Sequence, residues 1–356
     1  MEEKSMKKFL ALLLAAVLVF SFAACSGSKD NETTSAAGDS TSAANTDVDY
    51  SKVKVGLICL HDENSTYDNN FIQALKDTQA KLGLSNDQVL IKTNIGEDDG
   101  CLTAAQELAD AGCNVIFADS FGHETYIMEA AKEFPKVQFC HATGTHAKTA
   151  ELKNFHNAFA AIYEGRYLAG IAAGMKLNEM IKDGKITADK AVIGYVGAFN
   201  YAEVVSGFTS FFLGARSVCE SATMKVTYTN SWFDIALERE AALSLIEDGC
   251  VLISQHADSE GAPKACEEKG VPNVAYNIDT SSMGPNTALI SSKINWSPYY
   301  ELMINAVAKG EEIPTDWCGT LETGSVQLTK LNEKVAAEGT QAALDEATAK
   351  LEKGEI

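Results

Sequence analysis

From Lys52 onward, short β-branched apolar runs alternate with longer amphipathic ones, and this alternation constrains the fold more than any other feature of the chain. Strands are predicted at Val53 to Leu60, Val89 to Ile91, Val115 to Ala118, Val137 to Cys140, Val192 to Val196, Lys225 to Thr229, Val251 to Ser254 and Val274 to Tyr276. Helical patterns lie between them. Phe71, Leu75 and Leu82 share one face, as do Leu102, Ala105 and Ala109, and again Leu237, Ala241 and Leu245. Gly112 and Gly249 follow two of these helices, where a C-terminal cap is expected. Alternating strands and helices imply parallel sheets covered by helices on both faces. Either two doubly wound domains or one barrel satisfies that pattern. The stretch Asn154 to Phe159, with the small-residue helix Tyr163 to Met175 behind it, reads as a crossing into a second domain, and a second crossing is expected near Leu289 to Ser292.

The N-terminal part is of a different kind. Lys7 and Lys8 precede the apolar run Phe9 to Phe22, and Ala23 and Ala24 lead into Cys25. A run of about 14 apolar residues is short of the roughly 20 that cross a bilayer. It has the form of a secretory leader closing on a lipobox, with Cys25 as the lipidated first residue of the mature chain. Residues 26–51 are rich in Ser, Thr, Ala, Asp and Asn and cannot bury enough apolar surface to offset chain entropy, so they read as a disordered tether. The formal charge of -20 argues against nucleic acid and against adhesion to anionic lipid, both of which need a basic patch. No CxxC pair occurs, which argues against a zinc ribbon or a thioredoxin-like redox motif, and cysteines inside apolar runs, such as Cys59 and Cys140, read as small buried hydrophobes.

In doubly wound sheets, ligands bind outside the carboxyl ends of the strands. Those ends carry the polar and aromatic residues of this chain. His61 to Asn70 follow the first strand, Asp119 to Gly122 the third and His141 to Gly144 the fourth. In the second half, Phe199-Asn200, Asn230 to Asp234, Gln255 to Ser259 and Asn277 to Asp279 repeat the habit. Two such lips would enclose a flat small molecule with a polar edge. Ser65, Thr66, Asp68, Ser120, Asp234 and Ser259 have a second reading as helix caps, and Trp232 as core. His141 and His256 read as satisfied structural residues rather than catalysts. No GxSxG elbow, GxxxxGK[ST] loop or GxGxxG turn is present.

The segments SFGHE, HATGT, YEGRYLAGIAAGM, IGYVGAFNYAEVVSGFTSFFLGARSV, NSWFD, QHADS and KINWSPYY resemble, in order and spacing, the basic membrane protein (BMP) family. These are substrate-binding lipoproteins of ABC importers, akin to purine nucleoside receptors. The resemblance implies a type I periplasmic-binding fold, α/β, with two doubly wound parallel-sheet lobes joined by crossing strands. The implied organisation is a leader at 1–25, a tether at 26–51, a first lobe at 52–158 and 290–330, a second lobe at 159–289, and a C-terminal helical segment at 331–356.

By motif, Tyr67 stands where relatives place a ring beside the base, and Asp68 occupies the position of a neighbouring Asn. Trp232 supplies the opposing ring. Asn277 matches an Asp, and Lys293 a Lys, that relatives use on the ribose hydroxyls. With the strand-end residues, the expected ligand site is Tyr67, Asp68, Ser120, Phe121, His141, Trp232, Asp258, Asn277, Asp279 and Lys293. The implied partners are a purine nucleoside or nucleobase, an ABC permease, and the membrane through lipid on Cys25, at the extracytoplasmic face. No catalytic residue, cofactor, metal or nucleic acid is expected. A nucleoside-processing enzyme using Asp62, Asp258 or His256, and a ligand-sensing signalling lipoprotein, are the competing readings.

Overall fold

The computed structural model describes residues 48–356, so the leader, Cys25 and nearly all of the tether lie outside the described residues. The first sheet is laid down by β1 (Val55–Ile58), β2 (Val89–Lys92), β3 (Val115–Ala118), β4 (Gln138–Ala142) and β5 (Phe155–Ala160), with α1 (Thr66–Leu82), α2 (Asp99–Asp110) and α3 (Glu124–Glu133) between them. α4 (Ile162–Lys182) then opens a second lobe. It continues through β6 (Val192–Gly197), α5 (Ala202–Val218), β7 (Thr223–Tyr228), α6 (Ile235–Glu247), β8 (Leu252–His256), α7 (Gly261–Lys269), β9 (Asn273–Tyr276) and β10 (Ala288–Ile294). The chain returns to the first lobe for α8 (Ser297–Lys309) and β11 (Asp316–Gly319), and crosses once more for β12 (Val326–Leu328) and α9 (Thr340–Glu352).

The strand orders are β11-β5-β4-β3-β1-β2 and β12-β10-β9-β8-β6-β7. Every pairing is parallel except that of β10 with β12. Strand order reverses at β1/β3 in one sheet and at β6/β8 in the other. These are the switch points, where helices on opposite faces leave a crevice at the strand ends. The architecture is the expected type I periplasmic-binding fold, two doubly wound lobes and not a barrel. Three crossings join them, one more than the sequence indicated.

That third crossing corrects the expected lobe boundaries. The resemblance implies a first lobe that includes all of residues 290–330. In the structure β10 and β12 at the two ends of that range pair with each other in the second sheet, through Ser292 with Leu328 and Ile294 with Val326. Only α8 and β11 belong to the first. α9 packs on α4, so the C-terminal segment is part of the second lobe.

Two helix faces also differ from the sequence pattern. α2 buries Cys101, Ala104, Ala105 and Leu108, and leaves Leu102 and Ala109 half-buried. α6 buries Glu238, Ala242 and Leu245, while Leu237 is exposed. The rotation in α6 has a polar cause. Asp234 caps the helix by accepting from the N–H groups of Ala236 and Leu237, and both Glu238 carboxylate oxygens accept from the Ser259 N–H at 3.1 Å, which turns position 238 inward. By contrast, Gly112 and Gly249 take φ of +89° and +87° just past α2 and α6, the left-handed conformation that ends a helix there.

α4 and α5 lie unusually close. A Cβ at Gly170 would fall on the carbonyl oxygen of Phe211, and one at Gly214 on that of Tyr167. The small residues of YEGRYLAGIAAGM thus serve backbone approach. In the first lobe, Trp296 is buried and stacks on Phe71 with centroids 4.4 Å apart, and Phe117 meets the rings of Tyr299 and Tyr300. The aromatic end of KINWSPYY is therefore core. The eight cysteines beyond Cys25 are free; Cys318 alone is exposed. Burial pushes the Cys101, Cys140 and Cys266 thiols up to about 12, which keeps them unreactive.

Candidate functional site

The site is assembled where the two switch points face each other. On the first lobe, α1 begins at Ser65, whose hydroxyl caps the helix and donates to Asp68 at 2.6 Å. Asp68 also accepts from the His61 N–H at 2.8 Å. Burial alone would raise the Asp68 carboxyl, but the hydrogen bonds from His61 and Ser65 outweigh it and hold this group below the usual carboxylate range. Beneath it lies Asp119, fully buried at the end of β3. There burial and the neighbouring Asp68 charge push its carboxyl well above the ordinary value. The Tyr67 hydroxyl donates to the Asp119 carbonyl at 2.8 Å, which fixes the ring at the wall of the cleft.

The loop after β4 is held from below. Glu124 accepts from the N–H groups of Thr145 and His146 and from the His146 ring, leaving Thr143 at φ +63°, an uncommon position for a β-branched residue and one typical of sites where backbone strain is maintained by surrounding structure. His141 is fully buried; its Nε2 bonds the Ser120 carbonyl at 2.7 Å, and burial lowers its pKa to about 4. It is neutral, and it pins Ser120 from behind.

On the second lobe, Phe199, Tyr201 and Trp232 form an aromatic cluster, with Phe199 and Trp232 edge to face at 5.0 Å. The Trp232 carbonyl accepts from the Asp258 N–H. Burial, reinforced by the charges of Glu238, Asp68 and Glu203, pushes the Asp258 carboxyl well above its ordinary value. Behind these stands Arg166, fully buried, donating to the Gln255 carbonyl at 2.8 Å with its guanidinium carbon 3.7 Å from the Tyr276 ring centre. His256, kept neutral by burial and by Arg166, approaches Glu203 at 3.9 Å.

The lobes touch across the cleft. The Thr66 N–H donates to the Asp258 carbonyl at 2.9 Å, Asn70 donates to Asn277 at 3.2 Å, and the rings of His61 and Phe233 lie 5.4 Å apart. The recess enclosed between them is narrow, about 20 Å³, and opens into a wider mouth of about 820 Å³ lined by Tyr163, Tyr201 and Phe159, so a small-molecule ligand has to occupy both.

Six of the ten expected residues line the recess: Tyr67, Asp68, Ser120, Phe121, Trp232 and Asp258. Four do not. His141 sits one layer below. Asn277, at φ +69°, is fully buried behind Asp258, to which it donates at 3.4 Å. Asp279 is exposed and caps a turn by accepting from the Ser281 N–H. Lys293 is half-buried on β10 opposite Gln327, outside the lining of the recess and its mouth. The wall also holds Leu60, His61, Thr143, Glu203 and His256, which the expected set lacked. Among the described residues one group could hold a metal: Cys59, Asp68 and Asp119, all buried, with ligand atoms within 4.8 Å of one another. Cation binding there would require Asp68 to give up the hydrogen bonds that position α1.

The family model for ABC transporter substrate-binding proteins of the PnrA-like type, Bmp, matches residues 54–356. The chain belongs to the Bmp family. It is a substrate-binding protein of the ABC-transporter kind and not an enzyme, and such proteins work on the extracytoplasmic side. No described helix is long and apolar enough to cross a membrane. A purine-binding protein of Brucella abortus is 33% identical over 309 residues, which span 86% of this chain and 82% of that one. A putative ABC transporter glucose-binding protein of Haloferax volcanii is 34% identical, covering 65% of this chain and 56% of its own length. Among solved structures, solute-binding proteins from Conexibacter woesei and Aeropyrum pernix superpose with TM-scores of 0.69 and 0.71 at 20% and 15% identity, each covering 85% of this chain and 97% and 92% of their own. At that identity these two speak for the fold alone.

Proposed function

We propose that this Bmp-family protein is a lipid-anchored receptor that closes its two lobes over a purine nucleoside or nucleobase and delivers it to an ABC permease. The observation that carries the reading is the recess itself. Rings from both lobes, Tyr67 and Phe121 on one side and Trp232 on the other, surround a space whose remaining polar wall is carboxyl-rich. A flat base gains apolar burial and stacking from the rings and hydrogen bonds at its edge from the carboxyls. The purine-binding relative supports the same ligand class. Ligand contacts drawn from both lobes favour the closed form, so ligand should stabilise by mass action.

Thermal melting against a purine panel tests the proposal. Concentration-dependent stabilisation is expected, and a flat response to every purine base and nucleoside would reject it. Trp232→Ala should weaken binding by roughly 1 to 3 kcal/mol, the scale of base stacking on an aromatic ring, while the variant stays folded. Titration calorimetry measures the loss. Lys293 stands outside the recess and its mouth, so Lys293→Met should affect nucleosides and free bases alike. For the anchor, Cys25→Ala should abolish incorporation of a fatty-acid probe and release the protein from membranes.

A further inference from the structure

Most polar groups on the wall of the recess are already committed within the protein. The Tyr67 hydroxyl is bonded to Asp119, the Ser120 hydroxyl donates to Glu97 at 2.6 Å, and Asp68 is saturated by His61 and Ser65. Glu203 is different. It stands in the first turn of α5, lines both the recess and its mouth, and keeps only 14% of its side chain exposed. Its carboxylate makes no hydrogen bond among the described residues, and the one basic side chain within 4 Å of it there is His256 at 3.9 Å. A carboxylate in such a place carries a desolvation cost that only a donor can offset.

We infer that Glu203 reads the hydrogen-bonding edge of the bound base, and that its two acceptor oxygens select a purine presenting two adjacent N–H donors, as in 2-amino-6-oxopurines. The inference rests on the purine reading above and deepens it. An ionised carboxylate offers two acceptors side by side and no donor. The guanine edge offers N1–H beside a 2-amino group and fits both. Hypoxanthine offers only N1–H. Adenine sets an amino group beside an acceptor nitrogen, so one carboxylate oxygen would face a lone pair. A primary amide, with one acceptor and one donor, has the pattern that adenine needs. Glu203→Gln is thus expected to invert preference and not merely to weaken binding. Burial pushes the Glu203 carboxyl up to about 7 against the opposing pull of Arg166, so the ionised form is compared at about pH 8.

The experiment is titration calorimetry of the intact protein and of Glu203→Gln at about pH 8, with guanine, hypoxanthine and adenine and with their ribonucleosides. The unsubstituted protein should bind the guanine compound tightest and the adenine compound weakest. In Glu203→Gln, guanine affinity should fall roughly 10- to 100-fold, the range for a hydrogen bond to a charged group, and the adenine compound should become the better ligand. Glu203→Asp, which keeps the carboxylate on a shorter stem, should weaken binding and leave the order unchanged. Purine binding in which Glu203→Gln shifts all three compounds alike, or leaves the order as it was, would overturn the inference while the purine reading stands. Binding of none of the six compounds to the unsubstituted protein would overturn both. Melting of the unliganded variants separates these outcomes from misfolding, since Glu203→Gln should melt no lower than the parent once an unpaired buried carboxylate is gone.

Discussion

Replacing Gly170 with valine is expected to prevent the second lobe from folding. The position faces the backbone of α5, where a Cβ would fall on the Phe211 carbonyl oxygen, and the reciprocal contact at Gly214 falls on the Tyr167 carbonyl oxygen. A flexible side chain could turn away, but a helix backbone cannot, so the two helices must separate along their length. That separation strips α4 from the cluster holding Leu168, Ile171, Ala172, Phe211 and Ala215. Overpacking usually costs about 1 to 3 kcal/mol, and a clash with rigid backbone lies above that range. A loss of more than about 4 kcal/mol takes most of the stability of an ordinary domain. Urea denaturation followed by circular dichroism measures it. Leu213→Ala is the control: Leu213 lies on the facing helix α5 at 57% exposure, and its loss should change stability by no more than about 0.5 kcal/mol. Equal, small effects from the two substitutions would show that α4 and α5 have room to spare.

Arg166→Ala should be the most damaging change to a charged side chain, on the order of 3 to 5 kcal/mol, because it removes the cation among buried acids and leaves a void over Tyr276. The penalty should also depend on pH. Glu203 has a folded pKa raised to about 7, so its contribution is fully present below its ordinary value near 4.5 and is lost as pH rises through 7. Without Arg166 the ionised carboxylate loses a favourable charge, and the loss above neutrality deepens. His256 has a lowered folded pKa, so its contribution is present above about 6.5 and is lost as pH falls. Arg166 contributes to that lowering, and its removal softens the acid side. Both effects act in one direction, with the variant furthest below the parent at alkaline pH and closest in acid. Melting temperatures of the two proteins from about pH 5 to 9 check the trend, and a gap that narrows with rising pH would contradict it.

The alternation of elements was legible because eight strands stand out as short apolar runs, six of them largely buried, and their positions agree with the structure to within a few residues. The remaining four strands were obscured for different reasons. β5 carries His156 and Asn157 in a buried strand, and their polarity is met by partners that no local pattern reveals: Gln138 for the imidazole and the Ala147 N–H for the amide. β10 was visible as a crossing, but its sheet was not. β11 and β12 have four and three residues, too few for a period to appear. Much of the site was legible for a topological reason, since switch points gather strand ends and the strand ends carried aromatic and acidic residues. Glu203 was not. An acid in the first turn of a helix is commonplace there, and only the position of α5 over the cleft sets it apart. The reverse holds for Asn277, whose left-handed backbone and buried amide place it behind the wall instead of on it.

The third crossing has a consequence for how the chain acquires its structure in time. β12 closes the edge of the second sheet beside β10, and α9 covers α4, which was synthesised well over a hundred residues earlier. The first lobe likewise waits for α8 and β11. Neither lobe is built from one contiguous stretch, so a nascent chain that stops short of Asp316 has two unfinished sheets. Contacts of such long sequence separation form slowly. The central strands of both sheets are therefore made first, and the strands that close one edge of each come last, which puts the completion of both lobes at the end of synthesis.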